Sequence, residues 1–342
     1  MKNKNQIKIL REQIDEIDEQ LFDLLDRRFG TVKKLSRIKR KIKISITDIQ
    51  RQEKIIQRIT QKYNKIDPKF IEEIFLSIFD YSKILQLYKI ENKSLIKNLQ
   101  EKPLLIAGPC SIESKEQIET ISNFLKENGI KFLRGGIFKP RTSPESFQGL
   151  GIDGLIYMKD AAVKNDQYIV TEIMTEKQLD QVYDFVDVIQ IGSRNMCSFG
   201  LLKAIGKKTA KDKKPILLKR GMNSTINEYL SAVKYLTKYG NNNVLLCLRG
   251  IRTFEQIDSE LRNTPDLASI LELKEKTNKK IIFDPSHSTG NKKHIVEISK
   301  AALKLGADGI MIEVHNKPET ALSDGKQSLD FKQFNNFLKE IR

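Results

Sequence analysis

Apolar residues along the first ninety positions recur at every third or fourth place. Ile7, Leu10, Ile14, Ile17, Leu21 and Leu24 set the spacing, and Phe29, Val32, Leu35 and Ile42 continue it. That period predicts a single helix of about forty residues with one apolar stripe along its length. So long a helix has no core of its own in a small module, so the stripe calls for a coiled partner or a dimer. Thr47 or Asp48 caps a second helix, and Asp67-Pro68 opens a third, with Ile71, Ile74, Phe75, Ile78 and Leu85 inward. Gly30 and Pro68 are the only glycine and proline in this stretch. Residues 1–90 therefore read as a small all-α domain of three helices.

From about residue 100 the pattern changes. Short apolar runs, many of them β-branched, alternate with helical segments: LLIAGPC, KFLRGG, YIVTEI, VIQIGS, ILLKRG, NVLLCLRG, KIIFDPSH and DGIMIEVH. Eight such runs predict an α/β fold, a (β/α)8 TIM barrel over residues 95–342, joined to the helices by the polar stretch Glu91-Asn92-Lys93-Ser94. A polar residue stands at or just beyond the end of each run: Cys110, Arg134, Glu172, Arg194, Lys219, Arg249, His287 and Glu313. A barrel gathers those ends on one face, so eight polar side chains converge on one mouth.

Composition narrows the partners. Sixty basic against 44 acidic residues leave a net charge of +16, which favours anionic ligands. Nucleic acid, membrane surface and phosphorylated or carboxylated metabolites all qualify, although abundant Lys, Ile and Asn inflate the charge without function. Three widely spaced cysteines, Cys110, Cys197 and Cys247, argue against a disulfide framework or zinc ribbon. No apolar run approaches the roughly 18 residues of a membrane span, and MKNKNQ lacks a signal-peptide core. A cytoplasmic protein is expected.

The loop RGGIFKPRTSP sets Arg134, Lys139 and Arg141 close together on a course fixed by Gly135, Gly136, Pro140 and Pro144, which suits a phosphate. With Arg194, Lys219 and Arg249 at the same mouth, the surplus of cations points to a phosphate plus a carboxylate, or to two phosphates. Structural ion pairing with Glu172 and other acids is the alternative. Cys110, His287 and Glu313 come from neighbouring strands of a closed barrel, and Asp324 of ALSDG lies on the loop after the eighth. Donors of such mixed softness suit a divalent transition metal with an open position.

These motifs, with AGPCSIES, SFQGLG, IQIGSRNM, LLKRGM, RGIRTFE, FDPSHSTG and ALSDGKQSL, resemble those of the type I 3-deoxy-D-arabino-heptulosonate 7-phosphate (DAHP) synthase family over residues 95–342. The resemblance implies condensation of phosphoenolpyruvate with erythrose 4-phosphate at a divalent metal, whether Mn, Fe, Zn or Co. It implies Cys110, His287, Glu313 and Asp324 as ligands. It assigns Arg134, Lys139, Arg194, Lys219, Arg249 and Asp284 to substrate, with Lys139 also catalytic, and Pro140, Arg141 and Thr142 to the sugar phosphate. Leu248 stands where many relatives have Glu.

The helical module offers cations and neutral donors without a nucleophile or base. LREQIDEIDEQLFDLLDRR, TDIQRQEKII and the closing Ser82-x-x-x-Gln86 resemble the all-helical chorismate mutase family. The resemblance implies an intertwined dimer, with Arg11 given to the other chain's site. Arg28 and Arg51 would hold carboxylates, and Lys39 and Gln86 would face the ether oxygen, with Ser82 and Gln52 nearby. Gln52 replaces the family's usual Glu, and an amide still accepts a hydrogen bond.

The resulting expectation is a homo-oligomeric bifunctional enzyme, a dimer through the helices or a tetramer if barrels also pair. It acts on phosphoenolpyruvate, erythrose 4-phosphate and chorismate, with neither nucleic acid nor membrane as partner. Three alternatives stand beside it. The barrel could make the eight-carbon keto-deoxy-octulosonate phosphate of the sister family, which usually has Ala-Asn in place of Pro140-Arg141. The helices could be a non-catalytic chorismate or prephenate sensor. Lastly, the seven cations between Lys33 and Lys43 could bind nucleic acid, although no aromatics interleave them.

Overall fold

The computed structural model describes residues 2–41, 46–87, 95–140, 143, 145–254 and 261–342. Ile42, the Glu91–Ser94 stretch, Arg141, Thr142 and Pro144 lie outside the described residues. The chain divides into two compact units, Met1–Tyr88 and Lys89–Arg342.

In the first unit, α1 spans Lys2–Lys41, α2 Ile49–Lys62 and α3 Pro68–Gln86. Asp48 caps α2 by accepting from the Arg51 N–H, and Asp67 caps α3 from Lys69, with Pro68 in the first turn where its missing N–H costs nothing. The inward face of α3 is narrower than its spacing suggests. Ile71 and Phe79 are buried, but Ile74 stays 42% exposed. On α1 the stripe from Ile7 to Leu24 is open, with Ile17 62% and Leu24 59% exposed. Among the described residues of its own unit, that apolar face has no partner.

In the second unit a short helix, α4 (Leu95–Asn98), precedes eight strands. These are β1 Leu104–Gly108, β2 Phe132–Arg134, β3 Tyr168–Glu172, β4 Val188–Ile191, β5 Ile216–Lys219, β6 Val244–Leu248, β7 Ile281–Phe283 and β8 Gly309–Glu313. All pair in parallel and in sequence order, and β8 closes on β1 from Leu104↔Gly309 to Gly108↔Glu313. Helices α5 (Lys115–Glu127), α6 (Ile152–Asn165), α7 (Glu176–Val182), α8 (Phe199–Lys208), α9 (Ile226–Thr237), α10 (Ala268–Lys276), α11 (Pro285–Thr289), α12 (Ile295–Lys304) and α13 (Phe331–Ile341) follow the strands.

Strands buried on both faces read as continuous apolar runs, which is why the sequence shows them without alternation. Alternate residues such as Leu104 and Ile106, Tyr168 and Val170, Leu245 and Cys247 pack into one core cluster, joined by Leu99 from the end of the α4 turn. Gly108 ends β1 where a Cβ would lie 2.0 Å from the Arg134 carbonyl oxygen. No helix among the described residues is long and apolar enough to cross a membrane.

Candidate active sites in the barrel mouth and the helical unit

At the strands' C-terminal ends a cavity of about 300 Å³ is lined by Arg134, Lys139, Arg194, Lys219, Arg249 and His287, with Pro140, Glu172 and Asp324. All five expected cations are therefore brought together. The alternative of structural pairing holds for two of them. Arg134 Nη1 donates to Glu313 Oε1 and Lys219 Nζ to Asp284 Oδ2, both at 2.6 Å and nearly fully buried. Glu172, the acid expected to neutralise the rest, accepts from Gln190 Nε2 at 3.4 Å, and its Oε1 is buried without a hydrogen-bond partner among the described residues. Lys139 donates to Cys110 Sγ at 3.0 Å and Arg194 Nη1 to the Pro140 carbonyl at 3.4 Å. Arg249 is 5% exposed, and among the described residues its Nη1, like Arg134 Nε, is buried without a partner. A buried unpaired donor costs about 1–3 kcal/mol, more when charged, so these groups are built for a ligand's acceptors.

Below the cations, Cys110, His287, Glu313 and Asp324 each present one donor atom, all within 4.8 Å of one another. Cys110 Sγ lies 3.3 Å from Asp324 Oδ2, and His287 Nε2 lies 3.4 Å from Glu313 Oε1 and 3.8 Å from Asp324 Oδ2. Bonds of about 2.0–2.3 Å in a tetrahedral shell separate donors by roughly 3.3–3.7 Å, so the set fits a divalent ion. Outer contacts hold the donors in place. Asp284 Oδ2 lies 2.8 Å from His287 Nδ1, close enough to favour a proton on that nitrogen electrostatically, and Asp284 Oδ1 accepts from the His287 backbone N–H at 3.0 Å. Gln327 Nε2 donates to Glu313 Oε2 at 2.7 Å.

Burial works against every charge here and neighbours decide the outcome. Burial would raise Asp284, but His287, Lys219 and the His287 N–H hold it well below the carboxylate range. Glu313 and Asp324 are lowered in the same way against burial, with His287 the leading cause in each. His287 itself is lowered, because burial outweighs the opposing carboxylates of Asp284 and Glu313. The Cys110 thiol is pushed up to about 12 by burial and then by Glu313. A metal bound through Cys110 would have to displace the thiol proton, so affinity for Co2+ should rise about tenfold between about pH 6.5 and 7.5. Competition against a chelator at the two pH values checks this; equal affinities would mean that the thiol is not a ligand.

In the helical unit Arg28 Nη1 donates to Ser82 Oγ at 2.6 Å, Gln86 Nε2 to the Ser82 carbonyl at 3.1 Å and Lys39 Nζ to the Ile46 carbonyl at 2.9 Å. Burial lowers Arg28 and leads the lowering of Lys39, and Gln86 Oε1 is buried without a partner among the described residues. Arg51 is exposed and Gln52 half-buried on α2. Arg11 is exposed on α1, seventeen residues before Arg28, which is about 26 Å along a helix. It cannot join that chain's own Arg28.

Sequence reasoning missed Arg262, which lines the mouth and donates to Asp324 Oδ1 at 3.4 Å, and Met222, Ser143 and Ser146 beside it. Arg262 sits in a loop without periodicity, so nothing in the sequence marks it.

Comparison with known proteins places these features among relatives. Residues 87–342 match the DAHP synthetase I family, and residues 10–87 match chorismate mutase type II. A phospho-2-dehydro-3-deoxyheptonate aldolase of Thermotoga maritima is 47% identical over 238 residues, covering 70% of this chain and 68% of that protein. A 2-dehydro-3-deoxyphosphooctonate aldolase of Agrobacterium fabrum is 30% identical over 256 residues, covering 69% of this chain and 87% of that protein. The crystal structure of the Thermotoga maritima DAHP synthase superposes with a TM-score of 0.65, covering 69% of this chain and 67% of that one. A truncated form of the Thermotoga maritima synthase gives 0.62 at 43% identity, covering 69% and 84%.

Proposed function

The chain belongs to the DAHP synthetase I family, with a chorismate mutase type II module ahead of its barrel, and on that premise we propose that it carries out two reactions. The barrel condenses phosphoenolpyruvate with erythrose 4-phosphate to the seven-carbon DAHP and phosphate, and the helices convert chorismate to prephenate. The observation that carries the barrel reading is the unpartnered buried guanidinium nitrogens of Arg134 and Arg249.

Arg134, Lys139, Lys219 and Arg249, with Arg194, hold the phosphate and carboxylate of phosphoenolpyruvate, and Asp284 serves that substrate site by holding Lys219 in place. Pro140, Arg141 and Thr142 hold the sugar phosphate; the last two lie outside the described residues. Two anions that repel each other in water are so fixed with the enol carbon facing the aldehyde. The new carbon–carbon bond forms between them, water adds to the neighbouring carbon, and phosphate leaves. Cys110, His287, Glu313 and Asp324 would hold a divalent metal (Mn, Fe, Zn or Co), which when bound would supply Lewis-acid polarisation of the aldehyde oxygen. The gap between 47% identity to the heptonate enzyme and 30% to an octonate enzyme favours the four-carbon sugar. Consumption of phosphoenolpyruvate on adding erythrose 4-phosphate, stopped by chelator and restored by metal, tests the reading. Consumption unaffected by chelator would refute the metal's part.

In the helices, Arg28 and Arg51 hold the substrate carboxylates, Ser82 and Gln52 add neutral contacts, and Lys39 and Gln86 meet charge developing on the ether oxygen. Arg11, too far from its own chain's Arg28, completes the site of a second copy through the open α1 stripe, making a dimer. Lys39→Ala and Gln86→Ala should each lower chorismate turnover by about 10²–10³-fold with little change in KM, because their contacts strengthen in the transition state. If the unmutated protein binds chorismate without turning it over, the helices are a sensor instead.

A further inference from the structure

Three of the four proposed metal ligands stand on or just beyond barrel strands, but Asp324 does not. It sits on the loop after β8 with a positive φ of 50°, and Leu322 two residues earlier is 53% exposed. A side chain on such a loop needs something else to fix it. Besides Arg262, the contacts come from the β1–α5 loop, more than two hundred residues away in sequence. Glu113 Oε1 accepts from the Leu322 N–H at 2.9 Å, and Ser111 Oγ meets Ser323 Oγ at 2.7 Å. Asp324 is the next residue, and its carboxylate accepts from the Cys110 thiol of the same β1–α5 loop.

Glu113 is itself held from several sides. Ser111 Oγ donates to its Oε1 at 3.4 Å, its own N–H donates to Gln117 Oε1 at 3.1 Å, and Gln117 Nε2 returns to the Ser111 carbonyl at 3.1 Å. His315 closes the cluster, with Nε2 at 3.0 Å from Gln117 Nε2 and 3.4 Å from Glu113 Oε2. The Glu113 and His315 side chains are only 11% and 5% exposed. None of these four residues lines the mouth cavity or belongs to the donor set.

We propose that Glu113 is a positioning residue for the metal site: by holding the Leu322 N–H, and the Ser111 hydroxyl that meets Ser323, it fixes Asp324 beside Cys110, and so sets metal affinity without touching metal or substrate. The inference rests on reading Asp324 as a ligand. Groups that orient ligands typically govern about 10–100-fold in metal affinity. A carboxylate that receives a backbone N–H can be replaced by an amide oxygen, so Glu113→Gln should keep most of the affinity, whereas Glu113→Ala should not.

The test uses the full chain and Co2+ alone, with affinity measured by chelator competition and by the thiolate–cobalt charge-transfer absorption. Glu113→Ala, Asp324→Ala and the double variant are compared, with thermal unfolding of each metal-free protein as a check on folding. The expected result is a loss of about 10–100-fold in Glu113→Ala, a retained absorption band at saturating Co2+, and recovery in Glu113→Gln. In the double variant the loss should equal that of Asp324→Ala alone, because Glu113 acts only through that residue. Loss in Asp324→Ala with full affinity in Glu113→Ala would overturn the positioning role and leave the ligand intact. Full affinity in Asp324→Ala would overturn the ligand reading itself. Additive losses, or equal losses in Glu113→Ala and Glu113→Gln, would reduce Glu113 to a general structural part and also overturn the proposal.

Discussion

Cys110→Ala should reduce condensation by roughly 10³-fold or more while chorismate turnover stays unchanged. Lewis-acid polarisation of a reacting oxygen amounts to several kcal/mol, and each 1.36 kcal/mol is about tenfold in rate. Cys110 supplies the only sulfur of the donor set, and its removal leaves a nitrogen and two carboxylates. The helical unit is a separate compact body without a share in that set, so its reaction has no reason to change. Parallel assays of both reactions on one preparation, with bound metal quantified, check this. Undiminished condensation in a metal-stripped Cys110→Ala protein would contradict the ligand assignment.

Arg134→Met should damage both stability and activity. Arg134 and Glu313 pair at 2.6 Å with side chains 3% and 0% exposed. Removing one partner of so buried a pair leaves an uncompensated charge and typically costs about 3–5 kcal/mol. For a domain of this size that is roughly 6–20 °C in Tm. The sign with pH follows from Glu313. Burial alone would raise it, and His287 and then Arg134 lower it in the native protein. Its contribution is thus present above the ordinary carboxylate range and fades as pH falls through its lowered value. Without Arg134 the buried carboxyl takes up a proton more readily, so the gap between variant and native protein should narrow in acid. Added divalent metal should narrow it too, by returning positive charge to Glu313. Condensation should fall below detection, since Arg134 is proposed to hold phosphoenolpyruvate as well. Thermal unfolding with and without metal, at neutral and mildly acidic pH, measures all three effects; a variant as stable as the native barrel would show that the pair does not act as described.

Much of the fold could be read before any coordinates because the barrel strands are buried on both faces and therefore write themselves as apolar runs. The polar residue at or beyond each run was legible for the same reason: a parallel barrel puts those ends on one face. The long first helix announced itself by an unbroken three-four period, and its exposed stripe by the lack of any core to receive it. What could not be read depends on contacts that sequence distance hides. Glu313 looked like a metal ligand only, yet it is also the partner of Arg134. Asp284 could be assigned to the site but not to its work, which is to hold Lys219 and the His287 ring together. Ile74 matched the inward spacing but stays exposed, because the face of α3 that α1 covers is narrower than the apolar stripe. Arg262 and Glu113 lie in loops, and Gln327 in the short 3-10 turn Gly325–Gln327, whose partners are distant in sequence, and local propensity carries no trace of those.

The central claim is that this barrel joins phosphoenolpyruvate to a four-carbon sugar phosphate, and a competition measures it directly. The full chain, loaded with divalent metal, is given limiting phosphoenolpyruvate with equal amounts of erythrose 4-phosphate and a five-carbon aldose phosphate, and the products are separated by mass. The expected result is the seven-carbon keto-acid phosphate almost alone, formed in step with phosphate release. Predominance of the eight-carbon product, or no product from either sugar, would contradict the account.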